Sequence, residues 1–305
     1  MSRPAGSGRS RGARLAARTI PLLALAGCSE ASFLHPAGPV SEQNRLILFD
    51  ALAIMLVIVV PTIAATLFFA WWYRAGNPRA RYRPDFTYSG RIEVVTWSIP
   101  ILTILFLGGL IWSGSHRLDP ARPLPSNQPP LDVQVVSLDW KWLFIYPGQG
   151  VASVNRVVVP AGRPIRFSLT SSSVMNSFFV PRLGSQIYTM NGMQTTLNLQ
   201  ADKPGSYFGT SANFSGDGFS DMQFRLDAVS PADFDRWAAA TRGKGPPLDV
   251  GAYKQLARQS ENVQPFTYGA VDPRLFDAIV TRKLPQAPGP QQGRGGPQVS
   301  PGDQS

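Results

Sequence analysis

The sequence predicts a two-helix transmembrane hairpin, then an all-β Greek-key sandwich or barrel, then a C-terminal helical arm. Three observations predict it. Two uncharged runs, Ala51–Tyr73 and Val94–Ser115, are each long enough to cross a bilayer. Short segments of alternating apolar and polar residues, separated by Pro, Gly and Asn, follow from Leu131. From Pro231 the spacing of apolar residues turns helical.

At the N-terminus, Arg3, Arg9, Arg11, Arg14 and Arg18 precede the apolar stretch "IPLLALAGC", with no acidic residue before Cys28. That order is an export signal, so residues 1–27 read as a signal peptide and 28–45 as a short exported segment. "LAGC" resembles the lipobox of bacterial lipoproteins, in which the cysteine, here Cys28, carries the lipid. Cys28 is the single cysteine of the chain, which excludes an internal disulfide.

The first span, placed at 46–73, ends in Trp71, Trp72 and Tyr73, an aromatic belt. At about 1.5 Å per residue its uncharged run covers roughly 34 Å. The second span is placed at 93–115. Pro61 and Pro100 kink such helices without forbidding them. The loop between them, 74–92, holds Arg74, Arg79, Arg81, Arg83 and Arg91 and so stays in the cytoplasm. Both ends then face the periplasm, as a lipid on Cys28 requires, in a bacterial inner membrane. Asp50, at the outer end of the first span, is either an interfacial anchor or a contact within the membrane assembly.

The formal net charge of +10 does not indicate nucleic acid. Without the segment before Cys28 the balance is 24 basic to 19 acidic residues, and Leu131–Val229 carries seven basic and six acidic. A basic stripe with interleaved aromatics is absent. The charge serves topology.

After a Pro-rich linker, 116–130, the β domain is placed at 131–229. "LDVQVVSLDWKWLFIYP", "RVVVPAGRPIRFSLTS", "TTLNLQADKPGSYFGTS" and "MQFRLDAVS" are its strands. Trp140 and Trp142, two apart, are expected on one face of a strand. The arm, 230–284, has Asp233 as a cap for "FDRWAAATR", then "DVGAYKQLARQ", then Asp272 with Pro273 opening "RLFDAIVTRKL". The tail, 285–305, is poor in apolar residues and expected to be disordered.

"VVSLDWKWLFIYP", "SSSVMNSFFVPRLGSQIYTMNGMQT" and "SGDGFSDM", behind a lipobox and two spans, resemble subunit II of the cytochrome bo-type ubiquinol oxidases, within the haem–copper oxidases. The resemblance covers nearly all of Cys28–Leu284. It implies a cupredoxin-like β domain in a complex that oxidises ubiquinol, reduces oxygen to water and translocates protons. The chain alone would not be catalytic. Haems, copper and the quinol site would lie in subunit I, its partner beside smaller membrane subunits and membrane lipid, and cytochrome c would not be a partner.

In the cytochrome c oxidase branch such a domain holds a dinuclear copper. The resemblance places its histidine positions at Asn176 and Phe219, its cysteine positions at Ser211 and Ser215, and its backbone-carbonyl ligand at Asn213. Of these side-chain ligands the chain keeps Met222 alone. Bridging copper needs thiolates. Leu131–Val229 contains no Cys or His, and His35 and His116 lie outside the domain. Glu93, in "GRIEVVTWSIP", matches a family glutamate at the mouth of a proton-uptake channel; a carboxylate favoured by a helix N-terminus is the plainer alternative. A menaquinol oxidase subunit remains an alternative function, as does a stand-alone membrane lipoprotein that binds a partner. A copper-bearing acceptor for cytochrome c would require the missing thiolates.

Overall fold

The structure, a computed structural model, describes residues 34–81 and 83–289. The expected signal peptide at 1–27, the expected lipid-bearing Cys28 and residues 290–305 of the tail lie outside the described residues.

Two long helices come first, α1 (Pro39–Trp72) and α2 (Gly90–Arg117). Both exceed the expected spans of 46–73 and 93–115. The difference at α1 has a local cause. Pro39 at the first helical position presets φ, and Ser41 Oγ donates to the carbonyl oxygens of Gly38 and Arg182. The helix therefore begins on the β domain, not at the membrane surface. Backbone bonds Ala37 N–Arg182 O and Asp202 N–Ala37 O complete the joint. Gly38 is required here, because a Cβ on it would lie 2.0 Å from Gln200 O. Gly38→Ala is expected to lift α1 off the domain at a cost of about 1–3 kcal/mol. A lower melting temperature of the assembled complex and faster proteolysis near residue 38 would show it; unchanged values would contradict it.

The α1–α2 hairpin leaves large apolar side chains such as Val57, Leu67, Ile104 and Trp112 exposed on the chain alone. In a bilayer that is lipid- or partner-facing surface. Ile47 packs on Gly114 where the helices approach near the domain. Hydroxyls inside the spans are satisfied within the helix, as in Thr62 to Ile58 O and Thr103 to Ile99 O, each 2.7 Å.

The β domain has ten strands: β1 (Leu131–Leu138), β2 (Lys141–Tyr146), β3 (Val151–Val154), β4 (Arg156–Pro160), β5 (Ile165–Ser171), β6 (Asn176–Phe179), β7 (Ile187–Thr189), β8 (Thr195–Leu199), β9 (Gly205–Ser211) and β10 (Gln223–Val229). The arm adds α3 (Pro231–Thr241), β11 (Pro247–Leu248), α4 (Val250–Leu256), β12 (Phe266–Tyr268), β13 (Ala270–Val271) and α5 (Leu275–Val280). One sheet runs β12-β3-β2-β1-β5-β8 and the other β4-β10-β9-β6-β7. The pairs β1/β5 and β4/β10 are parallel, as Greek-key crossings require. Between the sheets, Trp142, Phe144, Phe178 and Phe224 form an aromatic core, with Phe178 and Phe224 stacked at 4.9 Å.

Four expectations are corrected. The arm is not only helical. "FTY" is β-branched and aromatic, so it pairs with β3 as the edge strand of the first sheet. Ser230, not Asp233, caps α3, its Oγ accepting from Asp233 N at 3.2 Å. Asp272 precedes α5 without being its cap; that position is Arg274, whose N–H Asp272 accepts at 2.9 Å. The start of the tail is ordered, because Ala287 N donates to Ser172 O and Gly289 N to the Asp139 carboxylate. Asp249 caps α4, its Oδ1 accepting from Ala252 N at 2.8 Å.

Trp140 departs from the strand expectation as well. Leu138 pairs with Lys141, so Asp139 and Trp140 form a two-residue hairpin turn, with Trp140 at φ +62. Trp142 alone is on the strand, although both indoles enter the same core.

Candidate functional site: the loop between β9 and β10

The loop between β9 and β10 starts at Ser211, passes through a 3-10 turn at Asp217–Asp221 and closes at Met222. The backbone draws its neck together. Ser211 N donates to Met222 O at 3.1 Å, and Ala212 N donates to Ser177 O at 2.9 Å. Met222 N donates to Phe219 O at 3.1 Å. Gly216 takes φ +108, which a side chain would oppose. A Cβ on Gly218 would lie 2.6 Å from the Trp140 indole, whose Nε1–H donates to Ser215 O at 3.0 Å. These bonds hold the frame.

The structure brings Asn176, Ser211, Asn213, Ser215, Phe219 and Met222 into one loop region, where Ser211 bonds within the set and Asn213 and Phe219 find partners just outside it. Ser211 Oγ is 3.1 Å from Asn176 Oδ1 and 3.2 Å from Asn213 O. Asn213 Nδ2 donates to Met175 O at 3.0 Å. Ser215 Oγ lies 3.9 Å from the Met222 thioether. Asn176, Ser211, Ser215 and Met222 are buried. Phe219, half-buried, meets Phe214 edge-on at 5.6 Å. Hydroxyls, amides, an aromatic ring and one thioether do not make a copper donor set. The copper that the resemblance implies for such a domain does not fit these residues. Among the described residues no group of three His, Cys, Asp or Glu side chains converges anywhere.

Beside the loop, the turn at Asp139 carries a second polar cluster that sequence inspection missed. Lys141 is buried, and its Nζ donates to Ser260 Oγ at 2.6 Å, Arg258 O at 2.7 Å and Asp139 O at 3.2 Å. Burial lowers its pKa to about 8, against the opposing charge of Asp139. Tyr253 Oη donates to Ser172 Oγ at 2.7 Å, and burial pushes its pKa up to about 12. This cluster ties the arm and the chain through Gly289 to the β1–β2 hairpin.

Glu93 lies far along the chain from that loop, in the first turn of α2. Its backbone N–H bonds Ser89 O, and its exposed carboxylate accepts the Trp97 indole N–H at 3.0 Å. The spacing of four that joins Glu93 to Trp97 was readable in "EVVTW". Asp50 is exposed on α1.

Residues 137–229 match the family described as Cytochrome C oxidase subunit II, periplasmic domain, and residues 242–283 match the COX Aromatic Rich Motif. The chain is 48% identical over 262 residues to the cytochrome bo(3) ubiquinol oxidase subunit 2 of Pseudomonas aeruginosa, covering 86% of this chain and 79% of that protein. It is 49% identical over 276 residues to the ubiquinol oxidase subunit 2 of Acetobacter aceti, covering 90% and 89%. The quinol oxidase subunit 2 of Bacillus subtilis is more distant, 36% identical over 255 residues, covering 83% and 79%. By identity and coverage, the chain belongs to the quinol oxidase subunit II family, on its ubiquinol oxidase side.

Proposed function

We propose that this subunit II serves a ubiquinol-oxidising, oxygen-reducing, proton-translocating complex as a structural and proton-handling part, without a redox centre of its own. The observation that carries this is the loop at Ser211–Met222, which keeps the frame of a copper site and satisfies its polar groups internally. Electrons from a quinol within the bilayer need no periplasmic relay, so losing the thiolates costs such a complex nothing. Haems, copper and the quinol site belong in this reading to subunit I, the partner of the exposed faces of α1 and α2, with smaller membrane subunits alongside. Cys28 is the proposed lipidation site of the exported N-terminus.

Glu93 is the proposed proton collector at the cytoplasmic end of α2. The Trp97 N–H donates to its carboxylate and holds it oriented at the start of α2. A charged, oriented carboxylate attracts protons at the surface and passes them inward.

Oxygen uptake by the purified complex tests the donor. Consumption is expected with ubiquinol and not with reduced cytochrome c; uptake driven by cytochrome c would overturn the reading. A menaquinol offered in parallel separates the alternative quinol. Glu93→Ala is expected to slow ubiquinol oxidation severalfold in a complex of unchanged subunit and haem content, and Glu93→Asp to restore much of it. Turnover equal to the unaltered complex would remove Glu93 from the proton path.

A further inference from the structure

Where the hairpin, the linker and the β domain meet, a cavity of about 140 Å³ opens. Its walls include Val40 of α1, Arg117 at the end of α2, Asp119, Arg122 and Leu124 of the linker, and Asn198 of β8. The floor is fixed by hydrogen bonds. The Asn198 backbone N–H donates to Pro120 O at 2.9 Å, and its Nδ2 donates to Pro120 O at 3.2 Å and Ala121 O at 3.1 Å. The linker cannot swing away without breaking these.

The depth of the cavity suggests its occupant. Arg117 stands two residues beyond the uncharged run Val94–Ser115, roughly 3 Å further along the helix axis. That is the headgroup layer, between the hydrocarbon core and bulk water. Below it the exposed side chains of Ile111 and Trp112 offer acyl chains an apolar surface.

The charges suggest the chemistry. Neither Arg117 nor Arg122 has a carboxylate partner among the described residues. Arg122 makes one long contact, Nη1 to His116 O at 3.5 Å. Two guanidinium forks on one rim match a phosphate group. Asp119 shares that rim, with Oδ1 accepting from Ala121 N at 2.9 Å. A carboxylate opposes a bare anion but suits a headgroup that carries its own ammonium. The volume, several times the share of one water molecule, accommodates a phosphate with a short amino-alcohol.

We propose that this cavity holds the headgroup of one phospholipid of the periplasmic leaflet, its phosphate between Arg117 and Arg122 and an ethanolamine-type ammonium at Asp119. The lipid then fills the corner between membrane hairpin and exported domain and fixes their angle. This is independent of the copper question and of Glu93.

The test is native mass spectrometry of the complex purified in mild detergent, reading lipid retained with this chain. The probes are phosphatidylethanolamine, phosphatidylglycerol and inorganic phosphate. The unaltered complex and an arm control, Arg274→Gln, are expected to retain one phosphatidylethanolamine. In the double variant Arg117→Gln/Arg122→Gln its occupancy should fall roughly tenfold or more, the scale of a lost charge-assisted contact. Asp119→Asn should move the preference toward phosphatidylglycerol. Haem and subunit content confirm assembly, and Arg122→Gln alone gives the reading if the double variant does not assemble. Equal occupancy in the arginine variants and the control would overturn the proposal. Displacement of the lipid by inorganic phosphate would also overturn it, since that describes a free-anion site.

Discussion

Trp142→Ala is expected to cost the periplasmic domain about 3–5 kcal/mol, the range for deleting a large buried aromatic. Trp142 is fully buried at the centre of the sandwich, edge-on to Phe178 at 5.4 Å and to Phe224 at 5.7 Å. Those two rings stack on each other, so removing the indole opens a cavity that neither can fill without leaving its partner. Against a total stability of about 5–15 kcal/mol, the loss threatens the domain outright. The indole adds a discriminating detail, because its buried Nε1–H has no acceptor among the described residues. Trp142→Phe keeps much of the ring volume and removes that orphan donor, so it should cost far less than alanine. Melting of the complex and the amount of subunit II retained in membranes would rank the variants. Equal losses for Phe and Ala would mean that ring volume is not what holds this core.

Much of this fold is legible in the sequence wherever one residue class acts alone. The spans show because charge is absent, and the loop orientation shows because arginine is present. The strands show through alternation, yet "KWLFIY" does not alternate, and every residue in it is buried. That run signals a strand covered on both faces. One face packs in the sandwich; the other lies under Tyr253, Leu275, Phe276 and Ile279 of the arm. The arm's own strands were hidden by the same cooperation, since β12 has three residues and forms only against β3. Local propensity cannot announce a strand whose partner lies over a hundred residues away.

The copper-ligand positions come from resemblance alone, and the residues standing there are a poor donor set for copper. What pattern could not give is how those positions settle. Asn176, Ser211 and Asn213 are unremarkable singly, and only the fold shows them as one hydrogen-bonded set. Glu93 was singled out while its donor Trp97 was not, because a tryptophan near a membrane end has an ordinary explanation in the interface. Trp140 was misplaced for a related reason: spacing of two presumes an unbroken strand, and Leu138 pairing with Lys141 breaks it.

Lys141 carries the second large effect, and it concerns pH. Its folded pKa, about 8, lies below the unfolded value of 10.5, with burial the first cause. Between those values the unfolded chain binds the additional proton, so stability from this group rises with pH across that window. Below about pH 8 both states are protonated and the desolvation cost stands in full. The shift corresponds to roughly 3 kcal/mol, at 1.36 kcal/mol per unit. The tyrosines do not mask the rise. Tyr253, raised to about 12 by burial, contributes stability that is intact below pH 10 and fades only above it. Lys141→Met removes the charge together with the three bonds from Nζ. At neutral pH the relieved desolvation and the lost bonds oppose each other, and the net change is expected to be small. The pH slope is another matter, because among the described residues Lys141 is the group whose shift falls in that window. Melting of the intact complex between pH 8 and 10 should therefore climb for the unaltered protein relative to Lys141→Met. Parallel curves would show that burial does not depress the Lys141 pKa.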